Sequence, residues 1–366
     1  MQANRDDTPQ ISSGHRLRRR AGAVAATLLA MAIVLLAAEL VLSAMQGFAL
    51  PFLPYHADAL GVPRMFPDRT LSVRMGQGPA IVYTTDAHGR RIAADARQAG
   101  NGEGVVVLGD SQALGYGMPF ESTFASRFGA RAAPGAPVRI LGAPSMDPET
   151  LALRACEDAA GHDEQVRLQV IVYNLGNDLD EMYIAGQSRR SVETGMLHSW
   201  LAPRSQLYAR FVIWQSRRAL ARHPAPGINP MLFGLDAGER IVLARESLAR
   251  IDEIRRCTRA RKRIVLILPS DFQVDPAELG KYARYSADPV RFRNWYAKRE
   301  TFAAMMNSIE DYLLRRLRAE GVVAVSFREA ALASGIPAQR LFDRDSHHLT
   351  AEGHALAAEL LAGAAQ

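Results

Sequence analysis

Lysine and cysteine are scarce in this chain, and their scarcity excludes several kinds of site. Lysine occurs only at Lys262, Lys281 and Lys298, and no stretch interleaves basic and aromatic residues as a nucleic-acid surface does. Cys156 and Cys257 are the only cysteines, and they have neither metal-ligand spacing nor a C-x-x-C partner. We therefore expect no nucleic-acid partner. The pattern leaves open whether the two cysteines form a disulfide or remain buried free thiols.

The bulk composition is typical of a globular protein with a hydrophobic core. Hydrophobic residues make up 48% of the 366 residues and charged residues 22%. The net charge is +6, and five arginines and two aspartates in the first 20 residues supply half of it. The remainder of the chain is therefore only mildly basic.

An apolar run near the N-terminus predicts a membrane-spanning helix over residues 21–45. Residues 21–38 carry no charge, and the apolar character resumes after Glu39, which gives a length of about 25 residues for a core of roughly 30 Å. The arginine-rich segment 1–20 precedes the run, so the positive-inside rule places this basic tail in the cytoplasm and the rest of the chain outside it. A cleaved signal peptide is the alternative, but the run is long and no clear A-x-A site follows it. We therefore expect a single-pass protein of the inner membrane whose catalytic domain lies in the periplasm.

The chain beyond the membrane segment divides into a lead-in and one large domain. Residues 46–102 are rich in turn formers and predict a stem and lead-in, with a short strand at Val82–Thr84. Residues 103–366 predict the main domain. Within it, residues 179–241 predict an insertion that is helical in part. It could form a lid or a substrate surface, or it could simply pack its aromatic residues on the core.

Short apolar runs alternate with helical patterns throughout the main domain. This alternation favours an α/β fold in which a parallel sheet has helices on both faces. The predicted strands are Val105–Leu108, Val138–Leu141, Leu168–Leu175, Ile264–Leu268 and Val322–Phe327, and examples of the predicted helices are Pro148–Ala160, Ala244–Arg259 and Thr301–Glu320.

Polar residues follow the ends of these strands, where an open parallel sheet binds its ligands. They include Ser111 after the first strand, Gly142 after the second, Asn177 after the third, and Asp345 with His348 after the fifth. A serine becomes a nucleophile when a histidine takes its proton, and a carboxylate orients that histidine. The resulting oxyanion needs fixed donors. We therefore predict Ser111, His348 and Asp345 as catalytic residues, and the Ser111 N–H, the Gly142 N–H and the Asn177 side chain as the oxyanion hole.

These segments resemble the conserved blocks of the SGNH hydrolases, also called GDSL-type esterases and lipases. The matching segments, in chain order, are Val107–Ser111, Gly142, Gly176–Asp178 and Asp345–His348. The resemblance implies a flavodoxin-like three-layer α/β/α sandwich, acyl hydrolysis or transfer, and neither a metal nor a cofactor. Residues 83–91 loosely resemble the lead-in of membrane-anchored bacterial members. Leu175 and Leu141 depart from the usual glycine and asparagine of the third and second blocks.

Each candidate also has a plainer interpretation. Ser111 could be a helix N-cap, since serine is favoured there. The D-x-x-H spacing selects His348, whereas His347 would need D-x-H. Asp343 is a weaker rival of Asp345, and His354 is expected on the surface or in a capping role. We expect Asp110 and Asp178 to support their turns rather than to react.

Three functions fit this set of residues. The first is a serine-dependent ester hydrolase that acts on O-acyl esters outside the cytoplasm through an acyl-enzyme, with O-acetylated glycans as a candidate substrate class. The second is an O-acyltransferase that passes the same acyl group to a glycan. The third is a non-catalytic glycan-binding or scaffold protein. The sequence predicts no oligomeric state.

Overall fold

The structure is a computed structural model that describes residues 13–57, 62–75, 78–96, 103–144, 146–160, 166–176, 178, 196–222, 237–285, 289–344 and 347–366. Its first element is the helix α1, Ser13–Met45. Of the described helices, only α1 has a segment, Arg20–Met45, that is long and apolar enough to cross a membrane. The predicted membrane segment 21–45 lies within it.

A mixed eight-stranded sheet forms the centre of the main domain. Its strands lie in the order β10-β9-β8-β6-β7-β5-β4-β3, and β1 pairs only with β2. The strands are β1 Tyr55–Ala57, β2 Pro63–Met65, β3 Thr70–Arg74, β4 Ala80–Thr85, β5 Arg91–Ile92, β6 Gly104–Gly109, β7 Val138–Gly142, β8 Val166–Asn174, β9 Ala260–Leu268 and β10 Val323–Ser326.

The five strands from β6 onward are parallel and correspond to the five predicted strands. Their spatial order, numbered from β6, is 2-1-3-4-5, which is the flavodoxin-like order. The chain changes direction across the sheet between β6 and β8, so a crevice opens at the carboxyl ends of these two strands. Ser111 follows β6 directly, at that switch point.

Helices cover both faces of the sheet and complete a three-layer sandwich. The helices after α1 are α2 Ser111–Leu114, α3 Phe124–Ala132, α4 Pro148–Ala160, α5 Met196–Leu201, α6 Gln206–Arg222, α7 Ala237–Cys257, α8 Asp271–Val274, α9 Pro289–Tyr296, α10 Arg299–Ala319, α11 Phe327–Ser334, α12 Ala338–Leu341 and α13 Ala351–Ala365, with 3-10 turns at Phe120–Ser122 and Pro276–Tyr285.

Alternate residues of β6 show how the two hydrophobic cores are divided. Val105 and Val107 are buried in the core formed with α3 and α13. Val106 and Leu108 are buried in the opposite core, formed with α4, α7 and α10. Because successive side chains of a strand point to opposite faces, an uninterrupted apolar run identifies a strand covered on both sides. The predicted fold class is confirmed.

The segment 46–102 differs from its prediction as a stem. Three of its strands extend the sheet in antiparallel fashion, and β5 pairs with β7 through Arg91 and Ile140. Leu50 and Tyr83 form a third hydrophobic cluster with Leu114, which lies in the helix after the candidate nucleophile. Hydrophobic periodicity does not reveal β5, because it has two residues and one of them is an arginine. Strands β3, β4 and β5 thus belong to the same sheet as the parallel strands beyond residue 103.

Two other predictions concern the helical layer. Cys156 and Cys257 form a disulfide that joins α4 to α7, which decides the alternative left open by the sequence. The predicted insertion 179–241 contains the helices α5 and α6 and the start of α7. Its segments 179–195 and 223–236 lie outside the described residues.

Candidate active site

Ser111 lies where β6 ends and the short helix α2 begins. Asp110 caps this helix, because its carboxylate accepts the backbone N–H of Gln112 at 2.9 Å. The other oxygen of the Asp110 carboxylate accepts the side-chain amide of Asn174 at 2.8 Å, from the end of β8. Asp110 therefore has the capping role that the sequence also allowed for Ser111.

The imidazole of His348 lies against the Ser111 hydroxyl. The distance from His348 Nε2 to Ser111 Oγ is 2.9 Å, although 237 residues separate them in sequence. The ring of Tyr116 stacks on the imidazole with a centroid distance of 5.1 Å and restricts its movement. When Nε2 is unprotonated, the hydroxyl donates its hydrogen bond to this nitrogen, which is the arrangement that activates a serine.

The side chain of Gln112 holds the loop that carries His348. Its amide group donates to the carbonyl oxygen of His347 at 3.0 Å, and its own carbonyl oxygen accepts the N–H of Leu349 at 3.0 Å. These two bonds flank His348 on either side. Gln112 therefore fixes the position of the histidine relative to the adjacent Ser111.

Replacing Gln112 with leucine tests this positioning role. The variant Gln112→Leu retains much of the volume but loses both hydrogen bonds, so the imidazole is no longer held at its distance from Ser111. We expect kcat for a small aryl ester to fall by about 10², because small displacements of a catalytic group have effects of that size. The measurement is kcat, KM and thermal unfolding for this variant and for Gln112→Glu, which keeps the acceptor for Leu349. A lower melting temperature with unchanged kcat would show that Gln112 stabilises the fold but does not position His348.

His347 has a different environment from its neighbour. Its backbone is in the left-handed region, with φ of 53°, and its ring stacks on Tyr282 with a centroid distance of 6.2 Å. Burial, together with the positive charge of Lys281, lowers the pKa of His347 to about 4. The structure thus brings His348 to Ser111 and leaves His347 neutral near pH 7.

Gly142 ends β7 and packs directly against the turn that carries Ser111. A Cβ at this position would lie 2.7 Å from the carbonyl oxygen of Gly109, which no side chain tolerates. Gly176, after β8, is also closely approached, since a Cβ there would meet the side chain of Ser270. Both glycines let neighbouring segments approach the nucleophile turn and the crevice beside it.

Asn177 and Asp345 lie outside the described residues, so their roles remain predictions. The residues beside them are placed. The Asp178 carboxylate is buried and accepts the N–H of Asn174 at 2.8 Å, in a structural contact. The backbone N–H of Asp343 donates to the carbonyl oxygen of His348 at 2.7 Å.

Arg91 supports the loop that follows α2. Its buried guanidinium donates to the carbonyl oxygens of Leu114 at 2.6 Å, Gly115 at 3.0 Å and Met118 at 2.7 Å. It also lies over the ring of Tyr83, at 4.1 Å from the ring centroid. Burial lowers the pKa of Arg91 to about 10, so the group is still protonated at neutral pH.

The sequence did not identify Gln112, Tyr116 or Arg91 as parts of the site. Two weak signals existed: Gln112 directly follows the nucleophile, and Arg91 ends the lead-in segment that resembled anchored family members. Gln112 and Arg91 bond to backbone atoms, and such contacts impose no recognisable spacing on the sequence.

His354 has the second of its two expected roles, because it is buried rather than on the surface and caps a helix. It is fully buried in α13, and its Nδ1 accepts the N–H of Phe124 at 3.1 Å. Phe124 is the first residue of α3, so His354 satisfies a free donor at the start of another helix. Burial lowers the pKa of His354 to about 3. Among the described residues, no group of three or more His, Cys, Asp or Glu side chains could hold a metal ion.

Comparison with known proteins gives likenesses of structure only. No family model matches the chain, and a search of curated proteins finds no relative. The chain is similar to a lipolytic G-D-S-L family member from Veillonella parvula, with 10% identity, 70% of this chain and 94% of that chain covered, and a TM-score of 0.39. It is also similar to a carbohydrate acetylesterase family member from Sinorhizobium meliloti, with 13% identity, coverages of 71% and 96%, and a TM-score of 0.37. It is similar as well to an acetyl xylan esterase from Geobacillus stearothermophilus, with 13% identity, coverages of 73% of this chain and 95% of that chain, and a TM-score of 0.34.

Proposed function

We propose that the protein is a serine-dependent ester hydrolase that acts on O-acyl esters through an acyl-enzyme. The observation that carries this proposal is the 2.9 Å contact between His348 Nε2 and Ser111 Oγ at the switch point of the parallel sheet. A serine paired with an imidazole in a crevice at the strand ends has the geometry of nucleophilic catalysis.

The proposed mechanism combines the contact between Ser111 and His348 with the roles that the sequence predicts for the other site residues. His348 takes the proton as Ser111 Oγ attacks the ester carbonyl, and Asp345 orients the imidazole. The Ser111 N–H, the Gly142 N–H and the Asn177 amide stabilise the oxyanion of the tetrahedral intermediate. His348 then protonates the leaving alcohol. Water, deprotonated by the same histidine, attacks the acyl-enzyme and releases the acid.

The proposed location is the outer side of the cell membrane, with α1 as an uncleaved anchor. The basic tail before α1 favours a cytoplasmic N-terminus. The disulfide between Cys156 and Cys257 supports the same orientation, because disulfides persist mainly outside the cytoplasm. For an enzyme in that location, O-acetylated glycans are the substrate class we propose.

Covalent labelling tests the proposed nucleophile without knowledge of the natural ester. A fluorophosphonate reacts with a serine that an imidazole activates, so the full chain in detergent should be labelled at Ser111, as read by peptide mass spectrometry. The variant His348→Gln should lose the label, and heat-denatured protein serves as the background. An unlabelled Ser111 in a preparation that hydrolyses aryl esters would overturn the assignment.

A further inference from the structure

A carboxylate inside the apolar helix α1 binds the start of the helix α6. Glu39 Oε1 accepts the N–H of Gln206 at 2.6 Å, and Oε2 accepts the N–H of Leu207 at 3.0 Å and the hydroxyl of Ser205 at 2.8 Å. The first backbone N–H groups of a helix have no partner within the helix and carry its positive end, so a carboxylate is their natural acceptor. Glu39 thus ties α6 to the candidate membrane helix.

Further contacts hold α5 and α6 beside the exit of α1. The side-chain amide of Gln206 donates to the carbonyl oxygen of Ala49 at 2.5 Å, directly after α1. His198 in α5 contacts the Tyr208 hydroxyl at 3.0 Å and the Tyr55 carbonyl oxygen at 3.3 Å. The pair of helices is therefore fixed to the anchor at several points rather than through Glu39 alone.

The position of Glu39 along α1 sets the height at which α6 begins. A helix rises 1.5 Å per residue, so the stretch from Ala21 to Glu39 is about 28 Å long, close to the roughly 30 Å of a hydrocarbon core. If Arg20 lies at one membrane surface, Glu39 lies at the other. The start of α6 is then level with the lipid headgroups.

The helices α5 and α6, with the turn between them, expose aromatic and basic side chains. Trp200 is 59% exposed, Phe211 51% and Trp214 52%, although large aromatic side chains are normally covered. Arg204 lies over the ring of Trp200 at 5.7 Å, and Arg218 lies over the ring of Trp214 at 5.1 Å. We call these five residues the aromatic-arginine face.

The composition of this face matches a lipid surface. Phe211, Trp214 and Arg218 are spaced by three and four residues, which places them on one side of α6, while Ala209 is buried on the other. The helix α6 contains four arginines and no acidic residue. Tryptophan is enriched at the headgroup level of membranes, and arginine binds the anionic headgroups.

We propose that the aromatic-arginine face lies on the membrane that α1 enters, with its tryptophans at the level of the headgroups and its arginines on lipid phosphates. The occupant is the anionic phospholipid surface itself. The inference rests on α1 being a retained anchor, and it adds that the esterase domain is held against the bilayer by a second, interfacial element.

Quenching by brominated lipids tests the contact in the full chain reconstituted into phosphatidylcholine–phosphatidylglycerol vesicles. One single-tryptophan variant keeps Trp214, with Trp200→Phe and Trp295→Phe. The matched control keeps Trp295, a partly buried residue of α9 that packs against the hydrophobic core, with Trp200→Phe and Trp214→Phe. We expect shallow bromines to quench Trp214 several-fold more than Trp295. The additional change Glu39→Gln should reduce the quenching of Trp214.

Alkaline carbonate extraction of the same vesicles separates failure of the anchor from failure of the inference. The proposal is supported if the chain stays in the pellet and the brominated lipids quench Trp214 strongly. If the chain stays in the pellet but the lipids quench Trp214 no more than Trp295, α1 is an anchor and the proposed membrane contact of the aromatic-arginine face is wrong. Quenching that disappears as the protein density rises would assign the face to a second copy and also overturn it. Release of the chain by carbonate would contradict both the anchor and the membrane contact. The labelling of Ser111 would still test the proposed esterase activity independently.

Discussion

The variant Ser111→Ala is expected to lower kcat for ester hydrolysis by about 10⁴ to 10⁶ while the fold and KM change little. In the proposed mechanism the hydroxyl is the group that forms the acyl-enzyme, and it lies 2.9 Å from His348 Nε2. The variant His348→Ala should lower kcat by a similar factor. The double variant should be about as active as either single variant, because the two groups act as a unit. Steady-state kinetics on short-chain aryl esters, with the full chain in detergent, measure all three.

His347→Asn is the matched control for the base. Asparagine tolerates the left-handed backbone found at this position. The ring of His347 stacks between Tyr282 and the imidazole of His348, so the change removes a packing contact but leaves the 2.9 Å contact between His348 and Ser111. We expect its activity to stay within about tenfold of the natural chain. If His347→Asn were inactive while His348→Ala hydrolysed esters normally, the base would be the other histidine.

The second large effect is expected at Arg91. The change Arg91→Met removes the donor for three carbonyl oxygens, two of them buried, at the end of α2 and in the loop after it. Each buried group left without its partner costs about 1–3 kcal/mol, and release of a buried charge partly offsets this, so the net loss of unfolding free energy is roughly 2–4 kcal/mol. Activity should fall as well, because the same loop carries Tyr116 against the imidazole of His348.

Thermal unfolding measures the effect of Arg91→Met, with Arg131→Met as the control. Arg131 is exposed and has a 3.4 Å contact with Glu359, and exposed ion pairs contribute about 0–1 kcal/mol. For a domain of this size we expect the Arg91 variant to melt about 3–7 °C lower. Equal melting temperatures for the two variants would show that the segment around Arg91 does not support the domain.

The parallel half of the fold and the central pair of the site followed from the sequence for physical reasons. Strands covered on both faces are continuous apolar runs, and polar residues at their carboxyl ends meet at one edge. That reasoning placed Ser111 and His348 at one edge of the sheet, where the structure brings them together. It missed β5, because a buried arginine in a two-residue strand looks exposed.

The remaining features depend on tertiary neighbours that no local pattern records. The disulfide required α4 and α7 to lie side by side, and both cysteines stood in ordinary helical patterns. Gln112 and His354 bond to backbone groups far away in sequence, at His347 and Phe124. A polar residue with such a partner has the same sequence signature as one in solvent.

The order of segments in the sheet has a consequence for export. In the proposed orientation, the chain crosses the membrane progressively from α1 onward, so β3, β4 and β5 emerge before the strand β7 that completes their pairing. The Ser111–His348 pair of the proposed mechanism is assembled still later, because His348 follows β10 in the sequence. A partly translocated chain that has not yet delivered His348 therefore lacks the proposed base, and the first turnover must wait until the segment beyond β10 has left the translocation channel.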